Sequence, residues 1–411
     1  MGESKMEMDG EKGKNSTKRQ GEVLVGAEGT GEGMDKERAA RTTESEALQL
    51  ESKTAEVRRF SRLAATPDAA SAKWSNMLIL GDNFKALKSL VIEKKKGRVK
   101  NADGSEGVRL IYIDPPFASG QNYRGEDGRR AYGDCCKGDD FLEFMRLRLS
   151  LLRELLSDDG SIYLHLDWRM THYIKVLMDE VFGGENFLNE IIWSYGGRGA
   201  KSVARQFSRN HDTILLYRKK RHIFNPVIKE KKVPVGGNGF RRDDEGRWFK
   251  TAPRGDYTDR SIERLEREGR IYRTRTGSVR IKYFLREEDG FLIEEQRVGD
   301  VWDDIPDAMH LPAGERTGYP TQKPETLLRR IVLASSGPGD IVLDAFAGSG
   351  TTLAAAAMTG RRWIGLDSSP LAIETMEKRL NQDPSHGFGG DADLLDGLKD
   401  PPPPYTLYDV D

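Results

Sequence analysis

The run Ile341-Val-Leu-Asp-Ala-Phe346 reads as a buried strand closing on Asp344, and a glycine-rich turn with Gly348 and Gly350 follows it directly. A helical run, Thr351 to Gly360, begins at once after the turn. A strand that feeds a helix so tightly belongs to a parallel sheet, because the helix is the crossover that carries the chain back to the next parallel strand. That strand is Trp363-Ile-Gly-Leu-Asp367, and residues 368–380 read as the next helix, with Ser369 as N-cap and Pro370 in its first turn. The first half of the chain has the same grammar. Apolar runs at 77–80, 109–113 and 161–166 alternate with amphipathic stretches at 141–156 and 173–182. The expected fold is a doubly wound, mostly parallel α/β sheet.

The flanks and the middle of the chain have another character. Hydrophobic residues make up 37% of the 411, below the roughly 45–50% of a compact domain, so part of the chain is expected to lie outside a packed core. Residues 1–70 carry 12 basic and 14 acidic side chains without apolar periodicity, and read as a disordered extension. Residues 382–411 hold seven Asp and one Lys around a PPPP run, and read as an extended, solvated tail. Residues 198–297 hold 26 Lys/Arg against 15 Asp/Glu, although the whole chain is at −1. Tyr195, Trp248, Phe249, Tyr257, Tyr272, Tyr283 and Phe284 interleave with these cations, the composition of a phosphate-facing module. The organisation expected is therefore an extension (1–70), one half of the α/β domain (71–195), an inserted basic region (196–305), the other half (306–381) and an acidic tail (382–411). Cys135 and Cys136 supply neither a disulfide framework nor a metal site. No run approaches the length of a membrane span, and the N-terminus lacks the apolar core of a secretory signal. A soluble, cytoplasmic protein without a membrane partner is expected.

Three ligands suit a turn like that after Asp344. A phosphate-binding loop needs Lys where Thr351 stands, and a dinucleotide fingerprint needs a small residue where Leu353 stands. A nucleoside without a pyrophosphate remains, with Asp367 at the tip of the next strand able to accept both ribose hydroxyls. S-adenosylmethionine fits this description, since its amino and sulfonium cations suit an acidic, glycine-rich turn. A second strand end carries Asp114-Pro115-Pro116-Phe117. The two prolines remove two N–H donors and leave carbonyls presented outward. Asp114 and the Pro115 carbonyl can each accept one N–H of an amine on a flat ring, with Phe117 stacked on that ring.

Together these motifs resemble the amino-group DNA methyltransferases, which act on adenine N6 or cytosine N4. The resemblance covers most of residues 74–380 and includes Gly81-Asp82-Asn83-Phe84 and Thr321-Gln322-Lys323-Pro324. The order, with the catalytic motif first, the basic region next and the cofactor turn last, is similar to the permuted β-class that includes type III modification subunits. The resemblance implies that Asp344, Phe346, Gly348, Ser349 and Gly350, with Thr351 beside them, hold the methionine end of S-adenosylmethionine. It gives Asp367 the ribose, Asp82 the cofactor's adenine amino group, and Gln322 with Lys323 its carboxylate. A cation beside a carboxylate is favourable in its own right. Asp114, Pro115, Pro116 and Phe117 form the implied catalytic set. His165 and Asp167, at another strand end, could support the target pocket but stay outside that set.

Double-stranded DNA is the implied partner, the target base being flipped into the pocket, with Arg198, Lys201 and Arg205 as candidate DNA contacts. A separate restriction subunit and a homodimer remain open as further partners. Asp at the head of the Pro-Pro motif favours adenine N6 over cytosine N4. An RNA methyltransferase and an inactive DNA-binding module are the other readings.

Overall fold

The computed structural model describes residues 57–60, 74–118, 120–133, 138–196, 205, 207–381 and 405–410. Ten strands form its main sheet: β1 (Val57–Phe60), β2 (Asn76–Gly81), β3 (Val108–Ile113), β4 (Leu156–Leu166), β5 (Phe187–Ser194), β6 (His211–Arg218), β7 (Val301–Trp302), β8 (Ile341–Asp344), β9 (Arg362–Asp367) and β10 (Tyr405–Val410). Their spatial order is β1-β10-β2-β9-β8-β3-β4-β6-β5-β7. The run from β10 to β4 is parallel throughout, while β6 lies antiparallel between β4 and β5. The doubly wound, mostly parallel sheet expected from the sequence is present.

Strand residues alternate between the two faces. Ile79, Ile111, Ile113, Ile162 and Leu164 pack on one side with helices α1 (Asn83–Lys95), α2 (Gly138–Leu155) and α3 (Thr171–Phe182). Leu78, Leu110, Tyr112, Tyr163 and Val342 face the other way, beneath helices that follow the basic region. After α4 (Asp259–Arg267) in that region, these are α5 (Glu325–Ser335), α6 (Thr351–Met358) and α7 (Pro370–Leu380). Local chemistry sets the helix starts. Asp82 caps α1 by accepting from the Lys85 amide, and Ser369 caps α7 by accepting from the Ala372 amide.

β3 and β8 are neighbours, yet the chain leaves them in opposite directions. From β3 it crosses to β4 through α2 on one face, and from β8 it crosses to β9 through α6 on the other. The divergence opens a crevice beyond the carboxyl ends of these two strands, the place where open α/β sheets bind ligands. Asp114 and Asp344 stand at those two ends.

Three expectations need correction. The tail expected to be solvated over 382–411 contains β10, which pairs in parallel with β2 from Tyr405↔Asn76 to Val410↔Gly81. Thr406 and Val410 are buried there, Tyr408 and Val410 packing on one face of the sheet and Tyr405 and Leu407 on the other. The extension expected to be disordered over 1–70 contains β1, which pairs antiparallel with β10; residues 1–56 and 61–70 lie outside the described residues. The basic region does not begin at 196 as a separate body either. β6, at 211–218, is a fully inserted strand of the main sheet, since Ile214 to Tyr217 form a continuous buried run.

The remainder of the basic region folds on a second sheet of strands at 228–234, 241–242, 248–253, 279–288 and 291–297, with 271–273 joined to it. Its aromatics serve this sheet. Phe249 is buried against Tyr272 and Phe284, Arg242 lies over Trp248, and Arg247 lies over Phe284. Many of its cations pair within the region, including Arg242 with Glu287, Arg273 with Glu266 and Arg286 with Glu230. The interleaving of Arg with aromatics, taken from the sequence as a phosphate-facing pattern, is thus partly internal stacking. Among the described residues no helix is long and apolar enough to cross a membrane.

Candidate active site

A cavity of about 600 Å³ fills the crevice beyond β3 and β8. Its wall gathers Asp82, Asp114, Pro115, Pro116, Phe117, Gln322, Lys323, Asp344, Phe346, Gly348, Ser349, Thr351 and Asp367. These residues come from segments more than 200 positions apart, and the sheet order alone brings them together. Gly350 is adjacent, at the start of α6. Of the proposed DNA contacts, Arg198 and Lys201 lie outside the described residues, and Arg205 is exposed.

One half of the cavity is built on the turn after β8. Asp344 is buried, and its carboxylate accepts from the Phe346 amide at 3.0 Å and from the Thr352 hydroxyl at 2.6 Å. Burial pushes its acid constant up to about 7, and the carboxylates of Asp114 and Asp367 add to this against the two hydrogen bonds. Asp367 accepts from the Gly348 amide and the Ser369 amide, each at 2.9 Å, which fastens the turn to the tip of β9. Burial raises its acid constant also. Gly350 has φ of +75°, and a Cβ there would stand 2.6 Å from Met376 Cγ. The turn can be this tight only without a side chain. The buried Asp344 and the partly buried Asp367, neither with a cation partner among the described residues, are a site for a cationic ligand. The chemistry matches the amino and sulfonium groups of S-adenosylmethionine.

Asp82 lies on the same wall, with one oxygen held by the Lys85 amide and the other by Arg148 Nη2 at 3.2 Å. Arg148 is buried on α2 and also donates to Asn83 Oδ1 at 2.6 Å, while Asn83 donates to the Ala345 carbonyl at 2.8 Å. This chain of bonds ties the end of β2 to the turn after β8. An arginine in the middle of an amphipathic helix gives no sign of such a role, and the sequence reading passed it over. Tyr319, also missed, is buried over Gly348.

The other half is built on Asp114-Pro-Pro-Phe. Asp114 Oδ2 receives Lys323 Nζ at 2.6 Å, and Oδ1 is buried with no hydrogen-bond partner among the described residues. Phe117 stands 6.4 Å from the ring of His165, centroid to centroid. His165 is buried at the end of β4, bonded through Nδ1 to the Tyr112 hydroxyl and through Nε2 to Asp212. Burial works to raise the acid constant of Asp212, but the His165 bond and the charges of His165 and Lys323 bring it below the usual range. An ionised Asp212 only accepts, so His165 donates from Nε2. His165 thus lies against Phe117, held by Tyr112 and Asp212. Asp167 instead folds the following turn by accepting from the Arg169 amide.

Two of the expected cofactor contacts are placed differently. Gln322 lines the wall, but its amide accepts from the Thr317 amide and hydroxyl and donates to the Glu315 carbonyl. These bonds hold the 315–317 loop. The ammonium of Lys323 sits on Asp114, in the catalytic half, because the chain reaches it from a left-handed Thr321 (φ 59°) and passes straight into α5.

The sequence is similar to those of known proteins. Over 332 residues the chain is 36% identical to the type II methyltransferase M.EcaI of Enterobacter cloacae, covering 74% of this chain and 69% of that protein. It is 29% identical over 278 residues to the DNA adenine methyltransferase YhdJ of Escherichia coli, covering 67% and 77%. A probable type III restriction-modification Mod subunit, HindVI of Haemophilus influenzae, is 28% identical over 397 residues, and the matched part spans about half (51%) of its length. Residues 108–378 match the family model for N6/N4 DNA methylases, a span that holds Asp114-Pro-Pro-Phe and the turn after β8, while Asp82 precedes it. The chain belongs to that family, the DNA methylases that modify exocyclic amino groups with S-adenosylmethionine as methyl donor.

Proposed function

We propose that this protein methylates adenine N6 at a specific sequence in double-stranded DNA, as the modification enzyme of a restriction-modification system. The observation that carries the reading is Asp114 Oδ1, a buried carboxylate oxygen left without a donor beside the Pro115 carbonyl. Such an oxygen is costly to leave unpaired and marks the place of an incoming N–H. The adenine methyltransferase among the relatives supports adenine, as does Asp at the head of the Pro-Pro pair. The type III Mod relative supports a restriction-modification setting with a separate partner subunit.

In this reading Asp344, Phe346, Gly348, Ser349, Gly350 and Thr351 hold the methionine end of the donor, Asp367 the ribose and Asp82 the adenine amino group. S-adenosylmethionine held there would supply an electrophilic methyl group to the target amine, leaving S-adenosylhomocysteine, with the displaced amine proton passing to solvent water. Asp114 and the Pro115 carbonyl hold the two N–H groups of the target amine. They thereby turn its nitrogen lone pair out of conjugation with the ring and stabilise the positive charge that grows on it. Phe117 stacks on the flipped base and replaces part of the stacking lost from the duplex.

The test is transfer of methyl-labelled S-adenosylmethionine to unmethylated duplex DNA and, separately, to RNA, followed by digestion to nucleosides and mass spectrometry. Label in N6-methyladenine of DNA is expected. Label only in N4-methylcytosine, or only in RNA, would overturn the reading.

A further inference from the structure

The two oxygens of Asp114 have different surroundings. Oδ2 receives the Lys323 ammonium at 2.6 Å, in a pair whose side chains are only 11% and 17% exposed. Oδ1 is buried and has no hydrogen-bond partner among the described residues. The ion pair fixes the plane of the carboxylate, so that the oxygen not held by Lys323 is presented to the pocket. The ammonium also lies 5.3 Å from the centroid of the Phe117 ring, which places it against both elements of the target pocket. Its backbone is fixed separately, because the Lys323 carbonyl accepts from the Thr351 hydroxyl at 3.2 Å at the start of α6. The cofactor turn thus anchors the main chain of Lys323, and the side chain reaches into the catalytic half.

We infer that Lys323 is a positioning residue for methyl transfer, holding Oδ2 of Asp114 so that Oδ1 and the Pro115 carbonyl stay open to the two hydrogens of the target amine. The inference rests on the reading of Asp114 as the acceptor of that amine, and it departs from the expectation that Lys323 binds the donor's carboxylate. The two roles differ in what they govern. A lysine on the donor's carboxylate sets donor affinity, whereas a lysine on Asp114 sets turnover once both ligands are bound. The pair itself carries no net charge. The amine then meets an oriented dipole with its negative end at Oδ1, which is preorganised for the charge that develops in transfer. Arg could supply the charge, but its planar fork does not reproduce a single ammonium contact.

Lys323→Met keeps an unbranched side chain one atom shorter and removes the charge. S-adenosylmethionine is titrated calorimetrically into wild type, Lys323→Met and Lys323→Arg without DNA. Initial rates are then measured with labelled donor on unmethylated bacterial genomic DNA. The expected result is donor affinity within about 3-fold of wild type in both variants. kcat at saturating donor should fall about 100-fold in Lys323→Met, the scale of a misplaced catalytic group, with partial recovery in Lys323→Arg. Donor affinity weakened 10-fold or more with kcat unchanged would overturn the inference and return Lys323 to the donor's carboxylate. Equal loss of folding in both variants by circular dichroism would also overturn it, since a purely structural lysine would then account for the effect. Failure of the parent reading is seen in the wild type alone, as donor binding without label in DNA.

Discussion

Asp212 accepts a hydrogen bond from Nε2 of the fully buried His165 at 3.1 Å, and the other nitrogen of that ring meets the Tyr112 hydroxyl at 2.9 Å. The three side chains come from β6, β4 and β3, and they form a polar floor under Phe117. Each donor in the floor is matched, which buried polar groups require. The floor gives the target half of the site a rigidity that a lone aromatic on a loop would lack.

Asp212→Ala should lower stability by about 1–3 kcal/mol, the cost of leaving a buried N–H unpaired. Donor binding should stay near the wild-type value, because the floor lies on the target side. Thermal unfolding together with calorimetric titration of S-adenosylmethionine checks this. A variant with wild-type stability would show that the floor carries no such bond.

Gly350→Ala should destabilise the protein by about 2 kcal/mol or more, through the left-handed backbone and the contact with Met376. Donor binding should be lost with it, since the turn must open to admit the methyl group. Gly128→Ala is the control, because Gly128 also has positive φ (+78°) but nothing within 4 Å of its Cβ position. It should show only the smaller backbone penalty.

Asp344 links donor binding to pH. Its acid constant in the folded protein is raised to about 7 by burial, above the roughly 3.9 of an unfolded chain. A raised constant means that the folded state holds the extra proton. Asp344 therefore contributes stability in full below about pH 4, and the contribution disappears as pH rises through 7. A cationic ligand prefers the ionised form, so donor binding should tighten as pH rises through about 7 and should release a proton below it. Calorimetry in buffers of different ionisation enthalpy measures that proton. Asp344→Asn should abolish the release and remove the Asp344 share of the slope, while Glu325, also raised to about 7 by burial, keeps its own.

Removal of residues 401–411 should lower stability by about 2–3 kcal/mol, the scale of one buried aliphatic side chain, because Val410 leaves the core beside Ile79. β2 would lose its parallel neighbour up to Gly81, the residue before Asp82. Donor affinity should fall as well. Unchanged melting and donor titration would show that β10 is dispensable.

Much of this site was legible because its chemistry sits at strand ends in short local motifs. The run around Asp344, the Ser369 cap and Asp114-Pro-Pro-Phe each carry their structural context within ten residues, so local rules find them. What escaped depends on long-range pairing. Lys323 and Asp114 are 209 residues apart, and nothing near Lys323 identifies its partner. β10 is six residues long and follows four prolines and an acidic run, so its neighbourhood outweighed its own alternation. β6 was hidden in the same way, an apolar run inside the most basic part of the chain. Gln322 shows the converse, since its place in a motif pointed to a ligand while its amide bonds fold a loop.

The central claim is that the Asp114 pocket methylates adenine in DNA. Its most direct measurement is single-molecule sequencing of genomic DNA from a host without DNA methylation, expressing either wild type or Asp114→Ala. The account predicts N6-methyladenine at one sequence context with wild type and none with the variant. N4-methylcytosine in place of N6-methyladenine, or equal modification by both proteins, would contradict it.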